Sequence, residues 1–351
     1  MATDHPADQY RLVRARTPLR ISLGGGGTDV SPYLEDKGGV ALTLAIDKYA
    51  YVTVMRQPES DSPLLVQSLD FDQLAQFESE QDLALDGRLD LAKSVIRRLA
   101  ADRLRTGIEI YMHTDAPPGS GLGTSSAVTA TLVGAVAGHV GRTLGAYDVA
   151  QMAFEIERVD VGIAGGRQDQ YACVFGGCNF IEFTADDTIV NPLRLPADVI
   201  RELQYSLILC YTGKTRLSAN IIERQVAAYE RRDQDVELAL DRVKEAAFEM
   251  KTRLLRGQIH ALGELLDYSW QQKKKFDSQI TDAQIDEMYE AARNAGALGG
   301  KLLGAGGGGF LLLLAPFARR HIVAQRLTEA GGHIVDFGLD YEGMVTWAPN
   351  G

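Results

Sequence analysis

The 351-residue chain has only three cysteines, Cys173, Cys178 and Cys210, too few for a disulfide framework. No His-x-x-x-His accompanies Cys173 and Cys178 to complete a zinc set. All three are therefore expected as small buried hydrophobes of a reducing compartment. Long apolar runs are also lacking. The longest, Phe310 to Ala315, stops at Pro316 and is far too short to span a bilayer. Met1 to Arg20 is polar and charged and does not read as a signal peptide. A cytoplasmic protein without membrane contact is the expectation. Basic charge is in deficit: 36 Lys and Arg against 47 Asp and Glu, a formal net charge of −11. Such a chain is a poor counter-ion for a phosphate backbone, which argues against nucleic acid as a partner. Any phosphate it handles must be held by a local device such as backbone amides, a metal or a few basic side chains.

What is present is a globular composition, 45% hydrophobic and 24% charged, long enough for one large domain or two ordinary ones. Glycine stands out. Many of the 36 fall in four clusters, at 24–27, 119–123, 162–166 and 304–309. Glycine weakens the elements that contain it, so clusters imply tight turns or close approach of backbone to a ligand. Four of them suggest one site assembled from distant loops.

The pattern predicts strands at 12–15 and 19–23 around Pro18, at 40–46, 50–55 and 108–113, and helices at 125–140 and 148–158. It predicts a strand pair over 172–183 around Gly176 and Gly177, and a strand at 205–211. The stretch 218–270 reads as helical with a break near Gly257. Thr281, with Gln284 three residues on, reads as the capping box of a helix that Gly296 ends. Then come strand, glycine loop and strand over 301–315, a helix at 319–331 and a last strand from His333. The composition shift near Asn191, Pro192 and Pro196 divides the chain into 1–195 and 196–351. This is an α+β protein of two lobes with the site between them.

The sharpest segment runs Pro117-Pro118-Gly119-Ser120-Gly121-Leu122-Gly123-Thr124-Ser125-Ser126 into a helix. The prolines end the strand before it. The glycines let N–H groups converge, and the helix start adds unpaired amides and a positive dipole end. A polyphosphate can rest there without a lysine, and a serine hydroxyl beside it can ligate magnesium. Two other patterns fail. Gly213-Lys214-Thr215 has the tail of a Walker A loop, but position 208 is Ile. Gly304-x-Gly306-x-x-Gly309 spells a dinucleotide fingerprint, but a strand-like run follows it instead of a helix.

This loop, together with Pro18-Leu19-Arg20-Ile21-Ser22 leading into Gly24 to Asp29, and Lys301-Leu302-Leu303 leading into Gly304 to Gly309, resembles the three motifs of the GHMP kinase superfamily, in order. The first motif is most similar to its heptose 7-phosphate kinase and fucokinase-like branch. The resemblance implies a two-lobed α+β fold, with a ribosomal S5 domain 2-like N-terminal lobe and a ferredoxin-like C-terminal lobe. It implies ATP and Mg2+ as cofactors, and phosphorylation of a small alcohol such as the anomeric hydroxyl of a heptose 7-phosphate. L-fucose, galactose, mevalonate or homoserine are the alternatives within the superfamily, and a non-catalytic sugar and ATP sensor is the alternative outside enzymes. A homodimer is compatible with it. Pro118, Gly119, Ser120, Gly121, Leu122, Gly123, Thr124, Ser125 and Ser126 would meet the nucleotide. Ser125, with Thr124 and Ser126 one residue to either side, and Glu157 would hold magnesium. Asp169 would be the catalytic aspartate beside the acceptor hydroxyl, and Arg20 the cation next to it. Gly26, Gly27, Thr28, Asp29, Gly166, Gly306 and Gly307 would line the sugar site, with Asp29 on its hydroxyls. A 7-phosphate needs a cation of its own. Lys214, Arg216 and the run Lys273-Lys274-Lys275 are the candidates; Arg216, beside Thr215 and shortly before a helix, is preferred, and a charge run such as 273–275 ordinarily marks a solvated face.

Overall fold

The computed structural model describes residues 12–56, 64–70, 72–101, 107–215 and 219–349. Two long strands dominate the first lobe. β1 (Leu12–Gly24) pairs antiparallel with β2 (Gly39–Arg56) along nearly its whole length. Each merges two predicted strands. Pro18 does not interrupt β1, because the register shifts at Pro18/Leu19 and again at Ser22/Gly24, and bulges tolerate a residue without N–H. The far half of β2 carries β5 (Ile108–Thr114) and its near half β6 (Cys178–Phe183). β3 (Leu64–Ser68), β4 (Gln73–Phe77) and β7 (Thr188–Pro192) extend the edges.

Against this sheet packs α3 (Thr124–His139), an almost wholly buried helix of Ala, Val, Thr and Gly. Small residues on every face let it lie close beneath β1 and β2 with α2 (Asp90–Leu99), α4 (Ala146–Glu155) and α5 (Gln168–Phe175) beside it. Residues 172–175 were expected as strand; they belong to the helix α5, and only Cys178–Phe183 of that stretch is strand. The reason is a cap from far away in sequence. Asp29 accepts the N–H of Gln168, the first residue of α5, at 3.0 Å.

The second lobe has β8 (Leu207–Tyr211), β9 (Gly299–Leu302), β10 (Phe310–Leu314) and β11 (His333–Val335) in the order β11-β8-β10-β9. All three pairings are antiparallel. With α7 (Ala219–Glu230), α8 (Gln234–Leu255), α9 (Ile259–Lys273) and α10 (Ala283–Asn294) between β8 and β9, and α11 (Phe317–Glu329) before β11, this is the βαββαβ plan of ferredoxin-like folds. Asp282, not Thr281, caps α10, accepting from Ile285 N–H at 2.9 Å. The chain then returns: β12 (Val345–Trp347) pairs with β1 in the first sheet, so the end of the chain belongs to the first lobe's sheet. α1 (Tyr33–Lys37) and α6 (Ala197–Ser206) complete the elements.

One apolar cluster joins the lobes. Leu19, Ile21, Leu42 and Leu44 of the first sheet meet Leu209, Leu312, Met250 and Leu262 of the second lobe. No described helix is long and apolar enough to cross a membrane.

Backbone contact also fixes the lobes where the glycine loops touch. Phe310 N–H donates to the Ser120 carbonyl at 3.1 Å. Gly309 has φ +97°, and a Cβ on it would sit 2.2 Å from that carbonyl. Gly141 also has positive φ but has nothing within 4 Å of its Cβ position. Gly141→Ala should therefore cost only the left-handed strain of about 1–2 kcal/mol. Gly309→Ala adds overpacking, for about 2–5 kcal/mol in all. Denaturant unfolding of the two variants checks this; equal losses would contradict the assigned contact.

Candidate active site

Arg20 stands at the centre. β1 carries it inward among apolar neighbours, and its side chain is 3% exposed. A guanidinium stays charged, so burial demands partners. Nε and Nη2 donate to Asp169 Oδ1 at 2.8 and 2.7 Å, and Nη1 donates to the Gly121 carbonyl at 2.6 Å. Its own backbone N–H donates to the Leu122 carbonyl at 3.0 Å. One residue thus ties β1, the second glycine loop and the first turn of α5. Burial opposes its charge, but Asp169 outweighs that by charge and hydrogen bonds and holds the Arg20 pKa above the ordinary arginine value.

The second loop opens α3. Gly123, with φ +75°, precedes the helix and provides no side-chain cap. The first intrahelical bond comes from Ala127 N–H to the Gly123 carbonyl, which leaves the amides of Thr124, Ser125 and Ser126 for a ligand. α4 ends in a wide π turn over Ile156–Asp160, which directs Glu157 and Arg158 to the same cavity. Ser125 Oγ donates to Glu157 Oε1 and Ser126 Oγ to Oε2, each at 2.6 Å. Gln170 Nε2 also donates to Glu157. Glu157 and Ser126 are buried while Ser125 is exposed, so Ser126 and Gln170 hold the carboxylate from behind and Ser125 faces outward. Arg158 donates to the Gly166 and Ile163 carbonyls, each at 3.2 Å, and so shapes the 162–166 loop.

Asp29 is buried and its carboxylate already accepts from Gly27 N–H, Gln168 N–H and Gln168 Nε2 at 3.0–3.1 Å. Burial, and the like charge of Asp169, push its pKa up; the backbone donors offset part of this. Asp29 therefore first of all pins the first glycine loop to α5, and with it Asp169.

These groups line one cavity of about 170 Å³, together with Gly26, Gly27, Gly119, Ser120, Gly121, Gly123 and Gly166. A second cavity of about 350 Å³ adjoins it through Gly119, Thr124 and Ser125, with Pro118, Leu89, Met112 and Val128 among its walls.

Several expected site residues lie elsewhere. Leu122 points into the core, leaving only its backbone near the site. Thr28 is fully buried, its hydroxyl 2.8 Å from the Gly25 carbonyl and 3.0 Å from the Val40 carbonyl, so it locks the loop to β2. Gly306 and Gly307 pack on Ile280, with Gly307 N–H donating to its carbonyl at 2.8 Å; Gly304 and Ala305 face the cavity instead. Lys214 is half-exposed and pairs with Asp282 at 3.2 Å. Arg216 lies outside the described residues.

Residues 90–177 match the GHMP kinases N terminal domain and residues 250–333 the GHMP kinases C terminal domain. The chain is 34% identical, over 96% of its length and 99% of the other's, to D-glycero-alpha-D-manno-heptose 7-phosphate kinase of Campylobacter jejuni. The chain belongs to the GHMP kinase family. A crystal structure of a D-glycero-D-manno-heptose 1-phosphate kinase from Bacteroides thetaiotaomicron superposes with a TM-score of 0.80 at 32% identity, covering 97% of this chain and all of that one. L-fucokinase/L-fucose-1-P guanylyltransferase of Bacteroides fragilis is 28% identical over 95% of this chain and 38% of that protein. This GHMP kinase is thus a sugar kinase, a phosphotransferase with an alcohol acceptor, in a family that takes phosphate from ATP.

The cavity also holds two lysines: Lys301, which the sequence reading did not place there, and Lys273, which it named only within a run of candidates ranked behind Arg216. The Lys273-Lys274-Lys275 run is not one solvated face. Lys275 is exposed and Lys274 pairs with Asp286 at 3.5 Å, but Lys273 is buried and lines the cavity, with Nζ donating to the Gly304 carbonyl. Lys301 of the third motif lines it too, at 3% exposure. The third motif itself was the signal for Lys301; for Lys273 only its place at the end of α9 decides.

Burial lowers the Lys273 pKa, Arg20 adds to this, and Asp29 and Asp169 recover part, leaving it lowered to about 8. Raising the pH through about 8 then removes a positive charge from the cavity of the free enzyme. kcat/KM for an anionic acceptor should fall on that limb, since kcat/KM reports free-enzyme ionisations. Lys273→Met should abolish the limb. A limb of the same midpoint in that variant would contradict the assignment.

Proposed function

We propose that the chain transfers the γ-phosphoryl group of ATP to the anomeric hydroxyl of a heptose 7-phosphate, giving the 1,7-bisphosphate for nucleotide-activated heptose and surface polysaccharide synthesis. The observation that carries this reading is one cavity in which open helix amides and the Ser125–Glu157 pair face the Arg20–Asp169 pair. The likeness to a heptose 7-phosphate kinase over nearly the whole chain supports the substrate class.

The triphosphate would rest on the amides of 124–126, with the base in the apolar cavity behind Pro118. The donor chemistry fits Mg2+: a hydroxyl and a carboxylate oxygen side by side at the phosphate end, the partial set this ion completes with phosphate and water oxygens. Ser125 and Glu157 would hold it, and when bound it neutralises phosphate charge. Asp169, fixed by Arg20, would take a hydrogen bond from the acceptor hydroxyl. As the acceptor oxygen forms its bond to the γ-phosphorus, the bond to the β–γ bridging oxygen breaks, ADP leaves, and the hydroxyl proton passes to Asp169. Arg20 faces the charge on the transferring group without a proton to lose. Positioning and electrostatics supply most of the rate in such transfers.

The test is mass spectrometry of products from a mixed pool of heptose phosphates and hexoses with ATP. A heptose bisphosphate is expected. Phosphorylation of L-fucose or another sugar alone would defeat the substrate reading, and binding without any product would favour a sensor. Asp169→Asn should cut kcat by about 10²–10⁴ while leaving ATP affinity within a few-fold; full activity would remove Asp169 from the chemistry.

A further inference from the structure

Lys273 and Lys301 are costly. Buried lysine is rare without a partner, because taking an ammonium out of water is unfavourable. Among the described residues neither makes an ion pair, and the only hydrogen bond to either is that of Lys273 with the Gly304 carbonyl. Both nevertheless face the cavity. Two buried lysines in one pocket, neither with an ion-pair partner among the described residues, imply that the missing counter-charge is a ligand, and that it is strongly anionic.

Two anions could serve: the nucleotide's phosphates or a phosphate on the acceptor. The nucleotide end already has its devices in the helix amides, Ser125 and Glu157. Both lysines line the same cavity as Arg20, Asp29 and Asp169, the groups of the acceptor end; apart from Lys273 acting on Lys301, the charges felt by both are Arg20 and Asp29, with Asp169 added for Lys273. We propose that Lys273 and Lys301 form the subsite for the acceptor's own phosphate and are the residues that select a phosphorylated sugar. This rests on the reading of the acceptor as a heptose 7-phosphate. Burial, with Lys273 and Arg20 next to it, holds the Lys301 pKa well below the usual lysine value, so an arriving dianion restores the charge of the pair. The second lobe thereby contributes to a site that the sequence motifs place mostly in the first.

The experiment compares kcat/KM on D-glycero-D-manno-heptose with and without its 7-phosphate, in the wild type and in Lys273→Met and Lys301→Met. The ratio of the two values within one preparation is independent of how much of it is folded. The wild type should prefer the phosphorylated sugar, and each substitution should shrink that preference by about tenfold or more, the range of a charge-assisted hydrogen bond. Lys301→Met should also raise the melting temperature of the unliganded protein, because it removes a buried amine that makes no ion pair there, whereas a structural lysine would lower it. A wild type indifferent to the phosphate would overturn the acceptor reading, and this subsite with it. A wild type that prefers the phosphate, with the preference intact in both variants, would overturn the subsite alone, as would equal losses on both sugars, which would assign the lysines to the nucleotide.

Discussion

A guanidinium that cannot lose its proton, set into an apolar strand, dictates the rest of this structure. Leaving one member of a buried charge pair without its partner costs about 3–5 kcal/mol. Arg20 therefore has to draw Asp169 and the Gly121 carbonyl onto it. Meeting that demand joins the first sheet, the glycine loop at the start of α3 and the first turn of α5. The same contacts set the distance between the place where phosphate can rest and the carboxylate that can meet a hydroxyl. Gly123 must lack a side chain for this, since a Cβ there would press on Arg20 at 3.2 Å. The geometry of the candidate site is in this sense a by-product of solving a burial problem.

The charge distribution follows the same logic. The chain as a whole is acidic, with a formal net charge of −11, yet its central cavity gathers Arg20, Arg158, Lys273 and Lys301 against Asp29, Glu157 and Asp169. Positive charge is thus gathered at the place where the proposed reaction would use it. The buried lysines oppose stability, an expected conflict where function sets the residue.

Much of the site was legible because its chemistry is local in sequence. The loop at 119–126, Glu157 and Asp169 are each recognisable within a few residues of their motif. So were the helix of small residues behind the loop and the glycine that ends α10. What escaped depended on partners far along the chain. Helix α5 reads as strand in its own residues, Ala172 to Phe175, because its capping carboxylate, Asp29, lies 139 residues away. The two long strands read as four because bulges absorb Pro18 and the register shift beyond it. Thr28 and Gly306 carry motif letters but serve loop packing. Lys273 sits in a run that reads as solvated surface, and only the crossing of α9 over the third glycine loop turns one lysine of three inward. Returning strand β12 had no signal beyond three residues at the edge of β1.

The account stands or falls on what lies between the α3 amides and the Arg20–Asp169 pair. The direct measurement is a crystal structure with Mg2+, a non-hydrolysable ATP analogue and the heptose 7-phosphate. The expected result places phosphate oxygens within hydrogen-bonding distance of the amides of Thr124 to Ser126, with the acceptor's anomeric hydroxyl on Asp169 and the terminal phosphoryl beside Arg20. A triphosphate bound elsewhere, or an acceptor whose anomeric hydroxyl faces away from Asp169, would contradict it.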